Sequence, residues 1–144
     1  MAQNNVSSPT VIYDTLVADA TFMSYVGTYT FTDGSTAPSL SIVTPGRSVP
    51  NVASQTGLEV VIHDIADLRS QSYISSAPDA LYTWKVFLIV WEPETGEQVI
   101  NATTRLLGFF PLATSVETVS TGVLLGSSMQ TQVLIPSESP ILTP

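Results

Sequence analysis

The chain has 144 residues, of which only 16 are charged, 12 acidic and 4 basic, for a net charge of −8. That length suits one domain with a single core. The absence of cysteine excludes disulfides and thiolate metal sites. Four scattered basic residues, Arg47, Arg69, Lys85 and Arg105, argue against a phosphate-gripping nucleic-acid binder.

The first eight residues carry neither a basic n-region nor an apolar h-region, so they read as an N-terminal arm rather than a secretion signal. Ser8 is placed to cap a helix that opens on Pro9. Ile12, Leu16, Ala20 and Met23 recur at helical spacing. A continuous helix would set Asp19 beside that apolar stripe, a costly position for an unpaired charge. The spacing therefore predicts a break: Asp19 caps a second short helix, Ala20 to Val26, which Gly27 ends in a left-handed conformation.

From Thr28 the period becomes two. Residues 28–32 form a β-branched and aromatic run closed by Asp33-Gly34, and residues 38–44 alternate Leu40 and Ile42 with serines. Residues 46–56 show no period and read as a loop. Gly57 to His63 alternates again, with Leu58, Val60 and Ile62 inward and Glu59 and His63 outward. Asp64 to Arg69 is expected as a helical turn, and Ser70 to Ser75 as a short edge strand before the Ala77-Pro78-Asp79 turn. Leu81 to Trp91 is the strongest strand, apolar on both faces apart from Thr83 and Lys85, and so central and covered on each side.

After the Glu92-Pro-Glu-Thr-Gly96 turn, Thr95 and Gln98 fit a capping box. The helix behind it presents Val99, Ile100, Thr103, Leu106, Leu107 and Phe110, and stops at Gly108 and Pro111. Strands near 115–120 and 128–135 follow. The three-proline tail, residues 136–144, is expected to be extended, either frayed or laid on a neighbouring subunit. The whole is an α+β domain over residues 1–144, a largely antiparallel sheet with two main helices on one face.

The catalytic inventory is thin. His63 is the sole histidine, and Glu59, on its side of the strand, lies ~13 Å away, too far for a shared ligand or proton. His63 is therefore expected at a surface or interface. The acids of residues 92–97 match no calcium loop, and neither a nucleophile elbow nor a nucleotide-binding glycine pattern occurs. No catalytic, cofactor or metal residue is assigned. Trp91, at a strand end beside acids, suits an interface anchor. The long polar loops 45–56 and 65–80 suit partner contacts. Arg47, Asp67, Arg69, Trp91 and Glu94 are thus the candidate interface residues.

The segment Leu16-Val-Ala-Asp19 with Phe22, Val26 and Gly27 resembles the opening of the tail terminator (tail-completion, tail-to-head joining) proteins of long-tailed phages. Their pattern continues as Pro-x-x-x-Ile, matched by Pro38 to Ile42, and a Gly-Leu-Glu strand start, matched by Gly57 to Ile62. A hydrophobic strand (Trp84 to Trp91) and a helix (Gln98 to Leu107) then follow in the same order. The resemblance implies a non-enzymatic virion protein, with no membrane contact. It would form a homohexameric ring that caps the tail tube, joins tail to head connector and lets DNA pass through its lumen. Its partners would be identical copies, the tube protein and the connector. The alternatives are another neck component, a tail tube subunit, a capsid decoration protein or a ligand-binding module. The tail after residue 136 is longer and less charged than that pattern.

Overall fold

The computed structural model describes residues 6–71, 80–91, 97–119 and 129–142, and within them the chain forms three helices and eight strands. Helix α1 (Pro9–Val17) ends where the sequence breaks. Asp19 then caps α2 (Ala20–Tyr25) by accepting the Phe22 amide at 2.9 Å. The start of α1 differs from expectation: Ser8 holds the cap position with its backbone, its carbonyl accepting the Val11 amide at 3.2 Å, but its side chain makes no cap bond.

Gly27 is a second correction, for it is not left-handed. It is glycine because two backbones cross there. A Cβ on Gly27 would overlap the Thr56 carbonyl oxygen and lie 2.9 Å from the Gly57 Cα. Gly57, at φ +79°, turns its own backbone against that crossing. The Gly27 amide donates to the Leu58 carbonyl at 2.7 Å, and its carbonyl accepts from Ser39 at 3.0 Å.

Strands β1 (Thr28–Phe31) and β2 (Thr36–Pro38) form a hairpin across the Asp33-Gly34 turn. The run expected over 38–44 is divided, because β3 (Leu40–Val43) leaves β1 and pairs parallel with β4 (Val52–His63). Residues 52–56, expected as loop, are the first half of β4 and pair with β1. Their sequence lacks an apolar alternation because neither side of this overhang is fully buried.

The second half of β4 pairs with β6 (Ala80–Trp91), the central strand, which also pairs with β5 (Asp67–Gln71) and β8 (Met129–Pro136). Strand β7 (Thr114–Val119) closes the order β2-β1-β4-β6-β8-β7. Every pairing but β3–β4 is antiparallel. The helical turn expected at 64–69 is instead a bend at Asp64–Ile65 leading into β5. Of the edge strand expected at 70–75, Ser70 and Gln71 are in β5; the rest, with the Ala77–Asp79 turn, lies outside the described residues.

All three helices pack on one face of the sheet. Leu58, Val60 and Ile62 of β4, Trp84, Val86, Leu88 and Val90 of β6, and Val133 and Ile135 of β8 meet Ile12, Leu16 and Phe22 there. Helix α3 (Glu97–Phe109) adds Val99, Ala102, Leu106 and Phe109. The stripe is rotated from the expected one: Ile100 is 67% exposed, since Ala102 and Phe109 hold the core positions. Thr95 of the expected capping box lies outside the described residues.

Both chain ends are tied down as far as they are described. Val6 is buried, its amide donates to the Ser137 carbonyl at 3.1 Å, and its carbonyl accepts the Trp84 indole N–H at 2.9 Å. Ser137 continues from β8 with its amide on the Tyr82 carbonyl, and the Leu142 amide reaches the Phe109 carbonyl at 2.8 Å. Residues 137–142 are therefore laid on their own fold rather than frayed. No helix among the described residues is long and apolar enough to cross a membrane.

Candidate functional site

Alternation along the strands sends a second set of side chains to the other face, which receives no helix among the described residues. From β4 these are Glu59, Val61 and His63. From β6 they are Lys85, Phe87, Ile89 and Trp91, and from β8 Gln132 and Leu134, with Val116 of β7 opposite Gln132. Apart from Glu59 and the 49%-exposed Val116, all of these are half-buried. Among the described residues the central strand is thus fully covered on one face and half-covered on the other, where the expectation was cover on both.

At one end of this open face the loop after β3, residues 44–50, overhangs β4 and β1 and encloses a hollow of about 400 Å³. Its floor is Glu59, which takes the expected face, away from Leu58, Val60 and Ile62, but is covered there and only 7% exposed. The Tyr29 hydroxyl donates to Glu59 Oε2 at 2.7 Å, and the Trp91 indole N–H donates to Oε1 at 2.8 Å. Gln55, its amide assigned with nitrogen toward the carboxylate, lies 2.9 and 3.0 Å from the two oxygens. Three neutral donors thus replace the water that a buried carboxylate loses.

Ser41 lies 3.0 Å from the Tyr29 oxygen and donates to it, because the phenol proton is committed to Glu59. Burial pushes the Tyr29 phenol well above its usual range. The Ser41 bond pulls it down and the Glu59 charge raises it further. Tyr29 therefore stays a donor through the physiological range.

His63 lines the same hollow and packs its ring on Phe87, centroids 4.5 Å apart. Burial, then the positive charge of Lys85, lowers its pKa below the ordinary histidine value, against the opposing pull of Asp64 and Asp67. It is a half-buried neutral ring rather than a solvated surface group. Lys85 itself bridges to Asp67 at 2.8 Å, with the Asp67 side chain 60% exposed, a pairing of small energetic weight.

Of the five residues singled out from sequence, three share this face. Arg47 stands exposed on the overhanging loop and lines the hollow, Trp91 forms part of its wall, and Asp67 lies farther along beside Lys85. Arg69 belongs to β5, but its side chain is outside the described residues, as is all of Glu94. Sequence reasoning missed Tyr29, Gln55 and Ser41. Tyr29 and Gln55 are directly opposed across β1 and β4, a pairing no local period announces.

A second hollow, of about 430 Å³, lies between α2 and α3 and is lined by Tyr25, Asn101, Thr104 and Arg105. Its charge is already spent internally: Arg105 grips Asp19 with two bonds of 2.6 and 2.8 Å and stacks on Phe109 at 5.6 Å. That grip chiefly lowers the Asp19 pKa; desolvation opposes it and the Phe22 amide assists. This pair clamps α2 to α3 and explains why an acid is tolerated beside the apolar stripe.

Among the described residues no three histidine, aspartate or glutamate side chains converge as a metal site would require. The Glu59 hollow offers a ligand charge, hydrogen bonds and aromatic contact. In comparisons with known protein families, with characterised proteins and with solved structures, nothing matches this chain.

Proposed function

We propose that this chain is a structural subunit of a phage tail. Identical copies close into a ring, hexameric as in the family the sequence resembles, that caps the tail tube and joins it to the head connector. The virion is then its place of action, its partners are its own copies, tube protein and connector, and DNA only passes through the lumen.

The observation that carries the reading is the one-sided layering of the sheet. Among the described residues a face bearing Val61, Phe87, Ile89, Leu134 and Val116 receives no helix, in a chain with only 16 charged residues. Monomeric soluble proteins rarely leave a contiguous apolar face of this kind open, whereas subunits of assemblies do so routinely. Asp67, exposed beside Lys85, rims that face and would set its register against the neighbouring subunit. The order of sequence motifs supplies the link to tails.

Mass photometry and negative-stain microscopy of the purified chain test the proposal. Discrete rings are expected, and Val116→Lys, at an already exposed position, should dissociate them without unfolding the subunit. A chain that stays monomeric at high concentration and ignores tube protein overturns the reading. Long filaments would reassign it to the tube itself.

A further inference from the structure

The hollow over Glu59 carries opposite charges at its two ends. The carboxylate is at the floor and the Arg47 guanidinium is on the loop that forms the mouth. Among the described residues neither takes part in an ion pair, whereas Lys85 and Arg105 are both paired. A buried carboxylate held only by neutral donors has no counter-charge beside it, and a fold with a net charge of −8 has little with which to supply one.

The chemistry of the missing partner can be read from the acceptor count. A carboxylate offers about four lone-pair positions. Tyr29 fills one on Oε2 and Trp91 one on Oε1, and the Gln55 amide nitrogen, 2.9 and 3.0 Å from the two oxygens, spans the remaining two. A single N–H donor can take over one oxygen from that shared Gln55 contact, which suits the compact ammonium group better than a guanidinium that docks through two parallel bonds. A divalent metal ion needs several oxygen ligands, and the floor supplies one carboxylate. Val43, Val61 and Ile89 offer apolar contact between floor and mouth. The volume, about 400 Å³, is that of a site for a small molecule.

We propose that this hollow binds a small zwitterion, its primary ammonium group seated on Glu59 between Tyr29 and Trp91 and its anionic group reaching Arg47 at the mouth. This goes beyond the ring reading and does not depend on it, since every group named belongs to one subunit.

The test is a ¹⁵N–¹H spectrum of the full chain, whose two tryptophans give two indole signals. Trp84, buried and bonded to the Val6 carbonyl, serves as the internal reference; Trp91 reports on Glu59. Three probes of matched length are titrated: 6-aminohexanoate, hexylamine and hexanoate. The Trp91 signal is expected to shift and saturate with 6-aminohexanoate, to do so about tenfold more weakly with hexylamine, and to stay still with hexanoate.

Glu59→Gln should weaken both amines at least about tenfold. Arg47→Met, an exposed loop change that leaves the fold intact, should erase the advantage of 6-aminohexanoate while sparing hexylamine. The proposal fails if hexanoate binds as well as 6-aminohexanoate, if no amine gives a saturable Trp91 shift, or if Arg47→Met leaves the preference unchanged.

Discussion

Replacing Gly27 by alanine places a methyl group on the carbonyl oxygen of Thr56 and 2.9 Å from both the Cα and the carbonyl carbon of Gly57. Carbon atoms in ordinary contact stand ~3.5–4.0 Å apart, so the two backbones must separate by at least about half an ångström. Both are rigid there. Separation strains or breaks the 2.7 Å bond from Gly27 to Leu58 and the 3.0 Å bond from Ser39 to Gly27, which tie the end of α2 to β4 and the start of β3. Each buried backbone group left unpaired costs about 1–3 kcal/mol, so Gly27→Ala should lose about 3–5 kcal/mol, a large part of a typical domain's stability. For a chain of this size that is a fall in Tm of roughly 10–20 °C, and a lower urea midpoint at unchanged slope. Gly108→Ala is the control. Nothing lies within 4 Å of its Cβ position, and it sits inside α3, so the same substitution should stabilise by about 0.5–1 kcal/mol. Urea unfolding of the three proteins followed by circular dichroism decides the point. If Gly27→Ala unfolds within about 1 kcal/mol of the parent, the crossing is not what requires glycine.

The Glu59 network should behave as a coupled unit. Tyr29→Phe, which deprives a buried carboxylate of one donor, should cost about 1–3 kcal/mol, and a double-mutant cycle with Glu59→Gln should show coupling above about 0.5 kcal/mol. For His63 the folded pKa lies below the unfolded value. The unfolded chain therefore takes up the proton first as pH falls through about 6.5, and stability is full above that pH and declines toward the folded pKa. Imidazole NMR should show a depressed midpoint that Lys85→Met raises only in part, because burial is the larger cause; a midpoint at or above the ordinary value would refute this. Asp19 has the same sign in a lower pH window: its carboxylate, held down chiefly by Arg105, stabilises above the ordinary carboxylate range and ceases to do so as acid protonates it. Asp19→Ala should cost about 1–2 kcal/mol from the lost cap alone, Asp19→Asn should retain the cap, and both should flatten the loss of urea resistance between neutral and acid pH.

Features set by near neighbours along the chain are legible in the amino-acid sequence itself. The break at Asp19 follows from one acid interrupting a helical stripe. The central position of β6 follows from an unbroken apolar run, and the β1–β2 hairpin from Asp33-Gly34 between two extended segments. The paired late strands follow in the same way. Where local pattern misleads, the deciding partner is distant. Residues 52–56 are strand because β1 lies beside them, although their own composition is that of a loop. Ile100 is exposed because the neighbours of α3 select Ala102 and Phe109 instead. The proline-rich tail is anchored by amides and carbonyls of Val6, Tyr82 and Phe109, which leave no mark on its sequence.

The candidate site divides along the same line. Sequence places Trp91 opposite Trp84 and marks Arg47 and the loop around it, because strand parity and loop composition are local properties. It places Glu59 outward correctly and exposed wrongly. Parity says which face a side chain takes; only the loop over residues 44–50 and the Tyr29 hydroxyl from another strand make that face an interior. Gly27 is the sharpest instance: the residue type is written in the sequence, but its reason, a second backbone passing at Gly57, exists only once the chain has folded back on itself. Period and capping are set by bonds within a few residues, whereas burial of a polar group depends on which distant segment arrives to cover it.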